Sequence, residues 1–240
     1  LLIAHAKPLE LSAEAHPLIR TADIERLVPV AVYEPAHVLL EEVEAVMRRG
    51  VSAEDVFVDL MAPIARQVGR DWEEDRLDFV QVSMALWRLQ EVLRQVAATT
   101  TRAFDEDQPS SALFAPMPGD HHSFGAAMVH ECFTIAGWDA ELLVDPTLQS
   151  LTDTVARQRF DLLGLTLSCD CHNDRLASLI RAVRSVSMNP HLCIMIGGRV
   201  PQEQPQMAAL CGADGTAATA PAAVKAAERL VGMLRLAATA

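Results

Sequence analysis

The sequence has little positive charge, and this deficit disfavours one large class of function. Its 240 residues include 20 Lys and Arg but 32 Asp and Glu, which gives a formal net charge of −12 at pH 7. A surface of this sign repels a phosphate backbone, and the chain has no helix-turn-helix or zinc-finger spacing. We therefore expect no direct binding to nucleic acid.

Long apolar runs are also missing. No stretch approaches the roughly 20 apolar residues of a membrane span, and the first residues lack the basic and apolar layout of a secretory signal. We therefore expect a cytoplasmic protein without a membrane segment. Because the first residue is Leu rather than Met, we also expect the natural amino terminus to lie upstream.

Cysteines occur as an odd set in mostly apolar surroundings, which is typical of buried thiols in a reducing compartment. The five are Cys132, Cys169, Cys171, Cys193 and Cys211. The spacing Cys169-x-Cys171-His172 is compatible with zinc, but a fourth ligand and a second Cys pair are missing. We do not predict a structural zinc site.

The chain has 240 residues, and 50% of them are hydrophobic, which is enough to form two separate cores. We therefore expect two domains. A polar, acidic segment with a proline predicts a linker at residues 104–111. Before the linker we expect a partly helical amino-terminal extension over residues 1–30 and a helical cap domain over residues 31–103. After it we expect a Rossmann-like domain over residues 112–240.

The first half has helical periodicity. The predicted helices, the last with a weaker pattern, are Pro35–Arg49, Ala53–Val68, Phe79–Ala98 and Ser12–Leu27. Ser52 and Asp78 are expected as N-caps, and Gly50 as a helix stop. Together these segments predict a four-helix bundle.

In the second half, short apolar runs alternate with helical segments. The predicted strands are Ala112–Pro116, Ala140–Val144, Leu162–Leu167, Leu192–Ile196 and, more weakly, Gly215–Ala217. The predicted helices are Phe124–Ala136, Leu151–Arg159, Arg175–Val186, Gln202–Leu210 and Ala222–Leu236. This alternation predicts a Rossmann-like, flavodoxin-like, doubly wound sheet of five parallel strands, whose ligand crevice gathers the loops after the first, third and fourth strands.

The first of these loops carries the pattern D-x-H-x-x-G at residues 120–125. A carboxylate that accepts a hydrogen bond from one ring nitrogen orients a metal-ligating histidine and raises its basicity. Asp120 is the expected carboxylate and His122 the expected metal ligand. Gly125 removes a side chain where a bulky ligand would strike the start of the helix. An ordinary cap or turn is the alternative for so short a pattern.

The other two loops carry hydroxyls and paired glycines. Thr166 and Ser168 follow the third strand and can hydrogen-bond deep in the crevice, while Gly197 and Gly198 follow the fourth and allow a close approach of backbone to ligand. Each feature alone is explained by local turns and backbone hydrogen bonds. Because all of them fall at one edge of one sheet, they jointly predict a binding site.

These motifs resemble the D-x-H-x-x-G, S-x-L and G-G signature of methionine-synthase-type cobalamin-binding domains, with S-x-L changed to Thr166-x-Ser168. The resemblance implies that the dimethylbenzimidazole tail of cobalamin leaves cobalt and inserts into the sheet, and that His122 becomes the lower ligand of cobalt. The other cofactor-binding residues implied in this domain are Asp120, Ser123, Phe124, Gly125, Thr166, Ser168, Gly197, Gly198 and Gly215.

The helical half extends this resemblance. Val68-Gly69-Arg70-Asp71-Trp72 resembles the L-G-x-x-W element of helical caps that cover the upper face of cobalamin, which implies that Trp72 lies over the corrin. Simple packing of this tryptophan is the alternative. The Glu-His pair of the light-sensing adenosylcobalamin regulators is replaced by Val82 and Ser83, and Phe79 replaces a smaller residue. The resemblance therefore implies hydroxo-, aquo- or methylcobalamin rather than the adenosyl form.

A narrower resemblance rests on the segments 72–79, 86–90 and 212–216. They are similar to the AerR/PpaA-type antirepressors of photosynthesis genes in purple bacteria, over roughly residues 35–235. This implies a light- and cobalamin-responsive transcriptional regulator that is not an enzyme and that modulates a DNA-binding repressor by protein contact. A corrinoid methyl carrier of a methyltransferase system is the alternative. A tetrapyrrole or haem binder with His130 or His172 as ligand is a third possibility.

Overall fold

The computed structural model describes residues 18–102, 109–168, 173–204 and 206–238. These residues divide into two compact units at Ala85 and Leu86, a boundary that lies within the long helix α5, Phe79–Thr99. The predicted linker lies mostly outside the described residues, and Ser111, predicted as its last residue, is the first residue of strand β1. Within the described ranges, no helix is both long and apolar enough to cross a bilayer.

The amino-terminal unit has four helical segments, as predicted. One of them is the first part of α5. The others are α1 at Thr21–Tyr33, α2 at Ala36–Met47, and a composite segment of α3 at Ala53–Asp55, a π-helical stretch at Val56–Met61 and α4 at Ala62–Glu73. As predicted, Ser52 accepts a hydrogen bond from the Asp55 N–H, Asp78 accepts one from the Gln81 N–H, and Gly50 follows α2 with a φ of 94°.

Two helices differ from their predicted form. Helix α1 continues through Pro29 to Tyr33, across the predicted boundary at residue 31, because Leu27, Ala31 and Val32 are buried on one face. The predicted helix Ala53–Val68 is interrupted by the π-helical stretch and runs on to Glu73. The physical reason is Pro63, whose ring and missing N–H disrupt a regular α-helical ladder at the preceding turn.

This unit combines an apolar cluster with a part-buried ion pair. Val32, Val68, Leu77 and Ala85 form an apolar cluster. At the start of α1, the carboxylate of Asp23 accepts hydrogen bonds from Arg49 Nη1 and Nη2 at 2.7 and 2.9 Å. The hydrogen bond from Arg49 lowers the pKa of Asp23, and burial opposes this effect. The pair therefore ties α1 to the end of α2.

Replacing Asp23 with Asn should lower the free energy of unfolding at pH 7 by about 2 kcal/mol, because a charge-assisted hydrogen bond to Arg49 is lost. Since the folded pKa of Asp23 is lowered, its contribution is present above the unfolded pKa of about 3.9 and is lost as the pH falls through the folded pKa. Urea denaturation should therefore show a large difference between variant and wild type at pH 7 and a smaller one near pH 3.

The matched control is Glu44→Gln, which removes an exposed ion pair with Arg48 at 3.9 Å. Its effect should stay below about 0.5 kcal/mol at either pH, because exposed ion pairs contribute little. A difference between Asp23→Asn and wild type that does not change with pH would contradict the role of the carboxylate.

The carboxyl-terminal unit is a five-stranded parallel sheet, as predicted. The strands are β1 at Ser111–Pro116, β2 at Asp139–Leu142, β3 at Leu162–Thr166, β4 at Cys193–Gly197 and β5 at Gly215–Thr216. Their order in the sheet is β2-β1-β3-β4-β5. Strands β1 and β3 are neighbours whose connections leave in opposite directions, so a crevice opens beyond their carboxyl ends.

Helices cover both faces of this sheet. They are α6 at Phe124–Ile135, α7 at Leu148–Arg157, α8 at Asn173–Val186, α9 at Arg199–Glu203, α10 at Met207–Cys211 and α11 at Ala220–Ala238. The predicted single helix Gln202–Leu210 is wrong, because the chain forms two short helices there. The sequence has a proline at position 205, which lacks the N–H that a continuous helix needs. Helix α7 starts earlier than predicted because Thr147 caps it by accepting from the Ser150 N–H.

The strands supply the centre of the core. One face buries Leu113, Leu163, Leu165, Ile194 and Ile196 against the helices. On the other face of β1, the Phe114 ring packs against Phe133 with centroids 4.7 Å apart, and a Cβ added at Gly164 would lie 2.6 Å from the Phe114 ring. The well-packed strands provide a rigid base for the loops at their carboxyl ends.

Candidate functional site

The loop after β1 makes a tight turn at the carboxyl end of the strand, and this turn buries Asp120. The Met117 N–H donates to the Thr166 carbonyl at 2.9 Å, which extends the pairing of β1 and β3 beyond Pro116. Gly119 then adopts a φ of 90°, and the Asp120 N–H donates back to the Met117 carbonyl at 2.7 Å. As a result Asp120 is 3% exposed, although it carries a carboxylate.

The Asp120 carboxylate accepts four hydrogen bonds from two loops. Its Oδ1 accepts from the backbone N–H of His122 at 3.0 Å and lies 2.7 Å from the Nδ1 atom of the same residue. Its Oδ2 accepts from the backbone N–H and the hydroxyl of Ser168, at 2.9 and 2.5 Å. The carboxylate therefore joins the loop after β1 to the loop after β3.

These contacts set the charge of both titratable groups. Burial raises the pKa of Asp120, but the hydrogen bonds from His122 and Ser168 outweigh it and hold the pKa well below its usual range. The hydrogen bond to Asp120 raises the pKa of His122, against the opposing effects of burial and of the Arg199 charge. Asp120 is therefore ionised at neutral pH and fixes a proton on His122 Nδ1.

The imidazole of His122 is oriented yet accessible. Its side chain is 67% exposed, and its Nε2 atom has no hydrogen-bond partner among the described residues. With Nδ1 protonated, Nε2 carries the lone pair and can donate it to a metal ion. His121 is also exposed but has no side-chain hydrogen bond within the described ranges, so only His122 has the orientation of a ligand.

Thr166 and Ser168, predicted to act together, have different surroundings. The Ser168 hydroxyl donates to Asp120, so it belongs to the support of His122. The Thr166 hydroxyl is buried and has no hydrogen-bond partner in the described part of the chain. A buried hydroxyl without a partner costs free energy, so Thr166 is suited to hydrogen-bond a ligand that enters the crevice.

The glycines of the predicted site also differ from one another. Gly198 has a φ of 99°, and an added Cβ would lie 2.5 Å from the Leu167 carbonyl oxygen. Gly197 and Gly125 have no atom within 4 Å of an added Cβ, so they leave open space. Gly215 pairs with Met195 inside the sheet, and its Cβ would meet Leu230 at 2.9 Å, which indicates that Gly215 serves the packing of α11.

Ser123 and Phe124, the remaining residues of the motif, begin α6. The Ser123 hydroxyl accepts a hydrogen bond from Gln90 Nε2, on α5, at 3.3 Å. Phe124 is the first residue of the helix and is partly buried. Gln90 lies in segment 86–90, which contributes to the narrower resemblance, but it was not predicted as a site residue, and it lies 33 residues from Ser123.

The amino-terminal unit presents Trp72 and Phe79 to solvent. Trp72 is 48% exposed near the end of α4, and Phe79 is 74% exposed at the start of α5. Simple core packing therefore does not explain Trp72. Val80, Met84 and Trp87 are also exposed, and their i, i+4, i+7 spacing puts them on one side of α5, which can bind an apolar group.

Other candidate ligands have different roles or lie outside the described residues. His130 has Nε2 at 3.2 Å from the Ala140 carbonyl oxygen, while its buried Nδ1 lies 3.4 Å from Glu131 Oε1 without a hydrogen bond among the described residues, so the ring is held on one side by the backbone. His172, Cys169 and Cys171 lie outside the described residues. Cys132, Cys193 and Cys211 are buried, and burial raises the pKa of Cys193 to about 12.

Arg199 is a further residue of the site that sequence reasoning missed. Arg199 follows the paired glycines, and its Nε and Nη2 atoms donate to the Ser168 carbonyl oxygen at 3.1 and 2.9 Å. The only signal available in the sequence was its position directly after Gly198.

Comparison with known protein families connects this geometry to a cofactor. Residues 110–226 match a family model described as B12 binding domain, and residues 37–97 match a second model with the same description. The first match contains the Asp120 and His122 loop. The second contains Trp72 and Phe79.

One sequence relative and one solved structure illustrate the similarity. A 20.5 kDa protein from the bchF-crtJ intergenic region of Rhodobacter capsulatus is 28% identical over 166 residues, which cover 68% of this chain and 85% of the relative. The monomethylamine corrinoid protein of Methanosarcina barkeri has a TM-score of 0.67 at 18% identity and covers 86% of this chain and 97% of its own. This likeness shows that the fold is shared.

The glycine geometry yields a matched pair of substitutions. Gly198→Ala should lower the free energy of unfolding by about 2 kcal/mol or more, because a left-handed backbone is strained by a side chain and the Cβ meets Leu167. Gly197→Ala should change it by less than about 0.5 kcal/mol, because its Cβ meets nothing. Thermal denaturation of both variants measures the difference, and equal losses would contradict the described backbone.

Proposed function

Because the chain carries a B12-binding domain at residues 110–226, we propose that it is a regulatory protein that binds cobalamin with His122 as the lower ligand of cobalt. The observation that carries this proposal is the Asp120 and His122 pair, in which the ring is oriented at 2.7 Å through Nδ1 while Nε2 stays accessible. A corrin holds cobalt through its own ring nitrogens, and its methyl form would supply a cobalt–carbon bond that light can cleave, whereas the hydroxo and aquo forms have no such bond. One protein nitrogen is therefore enough for the lower face.

The residues at the sheet edge fit this group in three respects. His122 offers a nitrogen whose basicity is raised by a buried carboxylate. The buried Thr166 hydroxyl lacks a partner among the described residues and can hydrogen-bond the nucleotide tail. Gly197 and Gly125 leave space where a side chain would block the approach of a bulky ring system.

Asp120 and Ser168 have different roles in supporting His122. Asp120 holds the Nδ1 proton of His122 and keeps the ring in one orientation. Ser168 keeps Asp120 ionised and in place by donating two hydrogen bonds to it. Because the carboxylate is buried, water cannot compete for these contacts, and His122 is ready to bind without rearrangement of its support.

The regulatory part of the proposal concerns the upper face. The exposed rings of Trp72 and Phe79 offer an apolar surface for the upper ligand, and Phe79 would crowd a large adenosyl group. We therefore propose hydroxo-, aquo- or methylcobalamin as the bound form. A change of upper ligand in light would shift the population of the amino-terminal unit between two states, if the ligand prefers one of them by several kcal/mol.

The proposed partner is a DNA-binding repressor of photosynthesis genes, contacted by protein surface rather than through DNA. Support comes from the similarity to AerR/PpaA-type antirepressors and from the Rhodobacter relative, whose name places it between bchF and crtJ. The net charge of −12 supports action without direct DNA contact. The shared fold of the monomethylamine corrinoid protein favours a methyl carrier as the alternative.

A spectrum of the chain with hydroxo- and methylcobalamin, in darkness and after illumination, separates these two functions. Retained cobalamin with a light-dependent form, and light-dependent capture of a repressor, would support the regulator. Binding that is indifferent to light, together with methyl transfer to an added acceptor by a methyltransferase subunit, would support the carrier.

The variant His122→Ala tests the proposed ligand. It should abolish histidine ligation of cobalt and weaken retention of hydroxocobalamin by at least about tenfold, because the only oriented imidazole of the described loop is lost. Absorption spectroscopy after gel filtration measures both effects. His121→Ala is the matched control and should behave as wild type. An equal loss of hydroxocobalamin retention in the two variants would contradict the assignment of His122 as the ligand.

Thr166→Val tests the unpartnered hydroxyl. Since the hydroxyl has no partner in the described residues, its removal should leave the free energy of unfolding unchanged or raise it by about 1 kcal/mol. Loss of its hydrogen bond to the tail should weaken cobalamin binding by about 1 kcal/mol, or roughly fivefold. Titration calorimetry and thermal denaturation measure the two quantities.

The control for this variant is Thr134→Val on α6, whose hydroxyl donates to the His130 carbonyl at 3.0 Å. It should lower stability slightly and leave cobalamin binding unchanged. A Thr166→Val variant that loses stability but binds cobalamin normally would show that the hydroxyl serves the fold.

A further inference from the structure

Arg199 connects the loop after β4 to the loop after β3. It is the first residue of α9, and its Nε and Nη2 atoms donate to one acceptor, the Ser168 carbonyl oxygen, at 3.1 and 2.9 Å. Its Nη1 atom donates to both carboxylate oxygens of Glu203, at 3.1 and 3.0 Å. The guanidinium is therefore held by its own helix while it holds Ser168.

Ser168 is in turn held on its other side. Its backbone N–H and its hydroxyl donate to Asp120 Oδ2, while its carbonyl accepts from Arg199. The hydrogen bonds thus form one series, from Arg199 through Ser168 and Asp120 to His122. This series crosses the three loops that follow β4, β3 and β1.

We propose that Arg199 is a positioning residue for cobalt ligation, which it controls by fixing Ser168 and, through it, the Asp120 carboxylate that orients His122. The inference rests on the proposed function, because it assumes that His122 binds cobalt. The planar guanidinium suits this role, since two of its N–H groups converge on one oxygen while the third group bonds Glu203. A lysine ammonium can reproduce only part of that geometry.

The expected loss of cobalt ligation in an Arg199 variant depends on how many residues lie between Arg199 and His122 in the hydrogen-bond series. Loss of a group that supports a metal ligand typically costs about 10- to 100-fold in metal affinity. Arg199 acts through two intermediates, so Arg199→Gln should lower the equilibrium constant for histidine ligation of hydroxocobalamin by about threefold to tenfold. Arg199→Lys should recover part of the loss. Glu203→Gln, which leaves the bonds to Ser168 in place, should have little effect.

A double-mutant cycle distinguishes positioning from direct contact with the cofactor. If Arg199 acts through Asp120, then Arg199→Gln should add nothing in an Asp120→Ala background. If the two effects multiply, Arg199 acts independently of Asp120, through its charge on His122 or by contact with the bound cobalamin, and the positioning role is overturned. The readout is the absorption spectrum of the full chain with hydroxocobalamin, which reports histidine ligation.

Amide hydrogen exchange of the chain without cobalamin supplies a readout that does not depend on ligation. The Ser168 N–H, bonded to Asp120 at 2.9 Å, should exchange faster in Arg199→Gln than in wild type and in Glu203→Gln. Unchanged exchange in Arg199→Gln would overturn the inference. A wild type that retains no cobalamin, with exchange still faster in Arg199→Gln, would overturn the proposed function while supporting the contact series.

Discussion

A buried carboxylate stays ionised only when hydrogen bonds replace the water that it has lost, and this requirement shapes the whole site. Asp120 is 3% exposed and accepts its four hydrogen bonds from His122 and Ser168. Since these donors lie on loops after two neighbouring strands, the carboxylate holds the loops together. It also separates the roles of the nearby groups. Ser168 is committed to the carboxylate and His122 is oriented by it, whereas the Thr166 hydroxyl has no partner in the described chain and is available to a ligand.

The architecture was predictable because its signals are local. Short apolar runs bounded by glycine and polar residues predicted the five strands, and the alternation with helices predicted a parallel sheet. The π-helical stretch Val56–Met61 was not predictable in this way, because α- and π-helices both bury apolar residues along one face. They differ in which carbonyl accepts each N–H, and that choice depends on packing and on Pro63. The missed break between α9 and α10 differs in kind, because the proline at position 205 is a local signal for it.

The site was predictable only where its partners are close in sequence. Asp120 and His122 are two residues apart, so a motif contains the whole interaction. The contact of Ser168 with Asp120 spans 48 residues and depends on the register in which Pro116 pairs with Thr166. Sequence patterns therefore placed Ser168 at the crevice but not in the support of His122. Arg199 lies 31 residues from Ser168 and was missed for the same reason.

The central claim is that His122, oriented by Asp120, completes the lower face of cobalt. Electron paramagnetic resonance of the reduced, cobalt(II) form of cobalamin bound to the full chain tests it directly, because the nitrogen below cobalt splits the signal. Protein made with histidine labelled by nitrogen-15 should convert the triplet of unlabelled protein into a doublet, and His122→Ala should remove this conversion. A triplet that persists in labelled protein would contradict the account, because the dimethylbenzimidazole tail would then still occupy the lower face.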